Sequence, residues 1–144
     1  HCYDYPRPAV TADIVILRKN RELRSVLLIE RKHHPFEGMW ALPGGFMDMD
    51  ETLEATALRE LKEETGITGI ELKQFYTFSK VDRDPRHRTI TTVFIGYADK
   101  STAEPEAGDD AAKVRWFSTE KLPPMAFDHQ EVMDLILMKV KDSD

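Results

Sequence analysis

Glu60, Glu63 and Glu64 stand at positions i, i+3 and i+4. On a helix that advances about 100° per residue, their carboxylates fall within an arc of roughly 100°. Like charges so crowded repel one another, and a divalent cation relieves the repulsion. Hard oxygen ligands suit Mg2+ or Mn2+. The competing reading is a solvated acidic face with Arg59 and Lys62 beside it, and spacing alone favours that plainer reading.

The flanking residues reverse the preference. From Gly45 the chain reads GFMDMDETLEATALRELKEETGI. Five residues separate Gly45 from Glu51, and seven more lead to Arg59-Glu60, Leu61, Glu63-Glu64, Gly66 and Ile67. Seven identities and two aliphatic positions at this spacing arise by chance about once in a billion start sites at ordinary residue frequencies. The stretch resembles the signature of the Nudix hydrolase family over residues 45–67. That resemblance implies roles. Glu60, Glu63 and Glu64 match the metal-binding glutamates, and Gly45 matches the glycine whose carbonyl joins the metal shell. Arg59 matches the arginine that orients the glutamates, and Glu51 its ionic partner. It also implies a Mg2+-dependent pyrophosphohydrolase on an α/β/α sandwich around a mixed sheet.

The physics of such a reaction fits these parts. Cleaving a diphosphate develops negative charge on bridging and non-bridging oxygens, which a bound cation neutralises while activating a water. A spare carboxylate takes the proton. Glu63 or Glu64 is one choice of base. The other is an acid of the later loop STAEPEAGDDAAK, which offers Glu104, Glu106, Asp109 and Asp110, each of which is also readable as part of a solvated acidic turn.

Gln74–Arg88, QFYTFSKVDRDPRHR, resembles a segment of ADP-ribose pyrophosphatase-like Nudix members and of related regulators. Tyr76 and Phe78 share one strand face, where they either stack on adenine or pack in the core. Arg83, Arg86 and Arg88 form a rare cation cluster in an acidic chain and suit bidentate phosphate binding, against the alternative of a solvated basic loop. YDYPRPAVTAD near the start and AFDHQE at 126–131 look like the same subgroup, whereas its proline marker is matched only loosely by Pro85. The leading expectation is hydrolysis of ADP-ribose to AMP and ribose 5-phosphate. The rivals are another pyrophosphohydrolase substrate (NADH, a dinucleoside polyphosphate, a nucleotide sugar or an oxidised nucleoside triphosphate) and a non-catalytic sensor of ADP-ribose or a sugar. The complete glutamate set argues against the sensor, as does the lack of room for the winged-helix extension that similar regulators carry. The resemblance is compatible with a homodimer.

These residues need elements to position them. Ala9–Leu17, Ser25–Arg31, Ile70–Ser79, Thr89–Ala98 and Lys113–Phe117 read as strands, and Met39–Leu42 as a short one inside a loop from Pro35 to Gly45. A polar turn at Asn20-Arg21 joins the first two. Thr52 to Glu64 reads as a helix, with Thr52 as N-cap, Gly66 as stop and Ala57, Leu58 and Leu61 as its packing face. A last helix starts at Asp128, where Asp128 and Glu131 have capping-box spacing. The order of strands, helix, strands, helix predicts an α/β or α+β sheet covered by helices, in a single domain over residues 1–144. Formal net charge is −6, which disfavours a general nucleic-acid partner and leaves a small nucleotide ligand. The single cysteine, Cys2, forms no internal disulfide, which suits the reducing cytoplasm. Neither a membrane span nor a signal peptide is legible. His33-His34 reads as a surface turn, Trp40 and Trp116 as packing residues, and His129 as structural.

Overall fold

In the computed structural model, residues 7–20, 23–108 and 111–143 are described. His1 to Pro6, Arg21, Asp109 and Asp110 lie outside the described residues. The strands are β1 (Ala9–Asn20), β2 (Leu23–Arg31), β3 (Trp40–Ala41), β4 (Gly44–Phe46), β5 (Lys73–Phe78), β6 (Thr89–Tyr97) and β7 (Ala111–Ser118). The helices are α1 (Leu53–Thr65) and α2 (His129–Ser143). None of the described helices is long and apolar enough to cross a membrane.

Strand β1 explains the layering. Ala12, Ile14 and Ile16 point to one side, where Ala57 and Leu61 of α1 meet them. Val15 and Leu17 point to the other, against Val132, Met133, Ile136 and Val140 of α2. A strand apolar on both faces must be covered on both, and the result is an α/β/α sandwich. The sheet is mixed, in the order β3-β2-β1-β6-β5, with β7 added to β2 and β4 to β1. Only β1 and β6 run parallel among these pairs.

One edge of β1 pairs with β6 along Ala9–Leu17. Its other edge is divided: β4 takes Thr11–Asp13 and β2 takes Leu17–Asn20. Between them the Ile14 amide donates to the Pro43 carbonyl at 2.8 Å. The sheet therefore opens where β2 and β4 part, and that opening is the cleft described below.

Three local expectations change. Gly44 and Gly45, read as the end of a loop, form a strand with Phe46. A β-carbon at Gly44 would run into the Asp13 carboxylate and the Ala12 carbonyl, so glycine is what lets β4 approach β1. Asp128 spends its carboxylate on Arg83 rather than on the start of α2, so no side-chain capping box forms with Glu131. Ala57 and Leu61 are buried as expected, but Leu58 is half exposed, and Thr56, Glu64 and Thr65 complete the buried face of α1 in its place.

Candidate active site

Helix α1 begins as its sequence dictates. Thr52 is extended, and its hydroxyl accepts from the Ala55 amide at 3.1 Å. The helix ends at Gly66, which adopts φ 77° and returns its amide to the Lys62 carbonyl. The last-turn carbonyls of Glu64 and Thr65 accept from the amides of Gly108 and Glu106 at 3.1 and 2.8 Å. The acidic loop thus closes the C-terminal end of α1 with its backbone, and Gly108 packs so tightly on Glu63 that a side chain has no room there.

Arg59 gathers the acids. Its guanidinium donates to both Glu51 oxygens at 2.6 and 2.8 Å, to Glu60 at 2.6 Å, to Glu63 at 3.3 Å and to the Phe46 carbonyl at 2.9 Å. Glu51 also accepts from the Asp48 amide and the Thr56 hydroxyl. These donors, Arg59 foremost, pull the Glu51 carboxyl down to about 2.

Glu60 and Glu64 behave in the opposite way. Burial pushes the Glu64 carboxyl well above the usual range, and the neighbouring charges of Glu60 and Asp13 push it further, against a hydrogen bond from the Gly44 amide at 3.3 Å. Burial raises Glu60 too, opposed by Arg59. Gly45 lies directly over Glu60, where a β-carbon would come 2.5 Å from the Glu60 carboxyl carbon. Two crowded, half-desolvated carboxylates beside a bare backbone are a donor set suited to a hard divalent cation. Glu63 is more exposed, with 56% of its side-chain surface open. No three Asp, Glu, His or Cys side chains among the described residues already converge on one point.

The cleft encloses about 360 Å3, within the roughly 300–1,000 Å3 common for small-molecule sites. Glu60, Glu64, Gly45 and Arg59 line one part of it, and Asp13, Arg31, Phe46, Arg83, Arg86, Phe127 and His129 line the rest. Beneath it lies a buried polar network. Asp13 accepts from the Thr91 hydroxyl at 2.8 Å and lies 3.5 Å from His129 Nε2 and 3.7 Å from Arg83. His129 Nδ1 accepts the Leu42 amide at 3.0 Å, so Nε2 is the nitrogen that carries the proton toward Asp13. Although burial opposes it, the Asp13 carboxyl is held below its usual value by His129, Arg83 and Thr91.

The RDPR segment is brought to this cleft, with a division of labour. Arg83 is buried and donates to both Asp128 oxygens. Arg86 is more open, pairs with Asp84, and lies 5.7 and 5.6 Å from the ring centres of Phe46 and Phe127. Arg88 donates to the Lys80 carbonyl. Tyr76 and Phe78 do share a face, with rings 5.2 Å apart, but Phe78 packs against the α2 core from β5, Tyr76 is exposed, and neither lines the cleft. Glu104 reaches Arg18 at 3.8 Å, and neither it nor Glu106 lines the cleft. His33 and His34 are exposed. Trp40 packs on Phe117, and Trp116 lies under Arg18.

Sequence reasoning missed Asp13, Arg31, Phe46 and Phe127. Phe46 lies inside the 45–67 signature at a position of free identity, and Phe127 inside the AFDHQE stretch. Arg31 reads as a polar strand end.

Residues 7–136 match the family described as NUDIX domain. The chain is 43% identical over 129 residues to the ADP-ribose pyrophosphatase of Methanocaldococcus jannaschii, covering 90% of this chain and 73% of that protein. It resembles the NUDIX domain of Shewanella oneidensis NrtR complexed with ADP ribose, with TM-score 0.83 and 30% identity over 96% of this chain and 94% of that one. It also resembles a bifunctional NMN adenylyltransferase/ADP ribose pyrophosphatase of Francisella tularensis complexed with AMP and a Mn ion. There the TM-score is 0.80 and the identity 31%, over 95% of this chain but only 43% of that protein.

Proposed function

The chain belongs to the NUDIX domain family and is a pyrophosphohydrolase, and on that premise we propose that it hydrolyses ADP-ribose to AMP and ribose 5-phosphate with Mg2+. The observation that carries the substrate reading is one cleft that joins the crowded Glu60/Glu64 pair to the guanidinium of Arg86 and the rings of Phe46 and Phe127. A diphosphate flanked by a base and a sugar presents matching charge and apolar surface. The ADP-ribose named for the relatives supports the same choice.

The ligands that would hold the cation are drawn from Glu60, Glu63 and Glu64, with the Gly45 carbonyl, and leave one glutamate free. When bound, Mg2+ neutralises charge on the diphosphate oxygens and lowers the pKa of a water. Arg59, anchored by Glu51, fixes the direction of Glu60, as supporting groups do around metal ligands. A glutamate of the α1 trio not occupied with the cation accepts the proton of the attacking water, and Glu63 or Glu64 fills that role. Arg86 meets the negative charge of the diphosphate. Phe46 and Phe127 offer the apolar surface on which a ring of the substrate rests.

The test is a panel of ADP-ribose, NADH, a dinucleoside polyphosphate, a nucleotide sugar and 8-oxo-dGTP, each incubated with protein and Mg2+ and resolved by chromatography. ADP-ribose should turn over with the highest kcat/KM and yield AMP. Rapid turnover of another compound with ADP-ribose untouched overturns the substrate assignment.

A further inference from the structure

A second cavity opens where β1 and β6 end, lined by Arg18, Lys19, Tyr97, Lys100, Glu104 and Trp116 among others. It shares no residue with the cleft. Asp13 of the cleft precedes Arg18 by five residues of β1, about 17 Å of extended strand. The cavity encloses about 690 Å3, within the roughly 300–1,000 Å3 common for small-molecule sites.

Its cations lack firm partners. Arg18 reaches Glu104 at 3.8 Å, but the Glu104 side chain is 83% exposed, and such a pair holds weakly. Among the described residues, Lys19 and Lys100 form no ion pair. Asp99 also lines the cavity, but its carboxylate is spent locally, accepting from the Ser101 amide at 2.8 Å and the Ser101 hydroxyl at 2.6 Å. The Asp99 amide in turn donates to the Thr102 hydroxyl at 3.0 Å. Lys100 therefore stands on a turn closed by its own hydrogen bonds. In a chain of net charge −6, three cations around one cavity are a local departure that favours an anion.

The same walls carry two aromatic rings. Tyr97 is 61% exposed, and the Arg18 guanidinium lies 4.1 Å from the centre of the Trp116 ring. The Trp116 indole nitrogen is buried without a hydrogen-bond partner, alone in this among the side-chain atoms of the described residues. Buried donors are nearly always satisfied, and here an acceptor is missing at a cavity wall.

We propose that this cavity is a second ligand site, separate from the cleft, that takes a nucleoside monophosphate. The phosphate displaces Glu104 from Arg18 and lies among Arg18, Lys19 and Lys100, as charge-assisted bonds favour. The base lies against Tyr97, and oxygens drawn to Arg18 are the acceptors that the indole lacks. A bare phosphate leaves the rings unused, and a neutral nucleoside leaves the cations unused. The site does not depend on which compound the cleft hydrolyses.

AMP titrated into the Trp40→Phe protein in EDTA tests the site, because Trp116 is then the chain's remaining tryptophan. Trp116 emission should saturate with AMP below millimolar concentration. Adenosine and inorganic phosphate should each bind at least tenfold more weakly. In the same background, Lys100→Gln and Tyr97→Ser should each weaken AMP at least tenfold. In the otherwise unaltered chain, both should leave kcat/KM for the best compound of the substrate panel within twofold of wild type. An emission unmoved by millimolar AMP overturns the proposal. So does equal AMP affinity with and without Lys100→Gln, which would place AMP in the cleft alone, or phosphate as tight as AMP, which would mean a plain anion patch. Should Trp40→Phe fail to fold, calorimetry on the unaltered chain decides. It must count one AMP more per chain in wild type than in Lys100→Gln with Tyr97→Ser, and equal counts reject the site.

Discussion

Arg83 and Asp128 are joined by two hydrogen bonds of 2.9 and 2.7 Å in the protein interior, with side chains only 4% and 5% exposed. They tie the loop between β5 and β6 to the start of α2, and so hold Arg86 at the cleft. Removing one partner strands a buried charge, which costs about 3–5 kcal/mol. Arg83→Ala and Asp128→Ala should each lower stability by that order in urea denaturation. Arg83→Met with Asp128→Leu, which removes both charges and keeps the volume, should recover much of the loss. A single-alanine loss below about 1 kcal/mol, the scale of an exposed pair, would show that the bridge does not anchor the loop.

Glu64 carries a charge that the metal-free fold tolerates poorly. It is buried, next to Glu60 and Asp13, against a hydrogen bond from the Gly44 amide. Glu64→Gln should leave the metal-free protein as stable as wild type or more so. The same change should lower kcat roughly a hundredfold or more, the scale of losing one well-placed electrostatic group. Mg2+ should raise the melting temperature of wild type by mass action and that of the variant much less. EDTA should abolish wild-type turnover, and Mg2+ or Mn2+ restore it. Wild-type kcat in Glu64→Gln, or full turnover in excess chelator, would remove Glu64 and the cation from the reaction.

Glu51 links the same cluster to pH. Its carboxyl is held at about 2 in the fold against 4.5 when free, chiefly by hydrogen bonds from Arg59. A depressed carboxylate stabilises the fold fully above its free value, and the contribution fades as pH falls toward the folded one. Urea midpoints should therefore drop as pH is lowered from about 6 to about 3, and Glu51→Gln should flatten part of that drop. An unchanged pH profile in Glu51→Gln would mean that the Arg59 contact contributes nothing to folding.

The helix of the site was legible because its signals are local. Thr52 caps, Gly66 stops, and three glutamates three and four positions apart share a face whatever surrounds them. The two-sided apolar alternation of β1 likewise announces a covered sheet. What stayed hidden depends on pairing across the chain. Two of the three residues of β4 are glycines, which strands disfavour, and they become a strand because β1 offers a free edge at Thr11–Asp13. Arg83 and Arg86 look alike in sequence. Only the fold buries Arg83 against a partner 45 residues away and leaves Arg86 open beside Phe46 and Phe127. Tyr76 and Phe78 have the alternation expected of a strand, but β5 sits at the sheet edge, where Phe78 packs on the α2 core and Tyr76 is left exposed, both away from the cleft.

Gly45 makes the sharpest prediction, because its expected role as a carbonyl donor and its contact geometry can be separated. A β-carbon there would stand 2.5 Å from the Glu60 carboxyl carbon and 2.6 and 2.7 Å from its oxygens. The obstructing atoms end a flexible side chain, so relief by rotation is open in principle. Rotation would break the 2.6 Å bond that Arg59 makes to Glu60, and Arg59 is itself pinned by Glu51 and by the Phe46 carbonyl. Gly45→Ala should therefore displace Glu60 rather than unfold the chain, since the clash lies at the cleft wall and not in the apolar clusters. Disturbing the orientation of a metal ligand typically costs about 10–100-fold in metal affinity. Mn2+ titration followed by electron paramagnetic resonance should show a loss of that size. The melting temperature without metal should change little, and kcat/KM should fall at least in proportion. A variant with unaltered Mn2+ affinity would mean that Glu60 moves freely and that its place beneath Gly45 has no bearing on the cation.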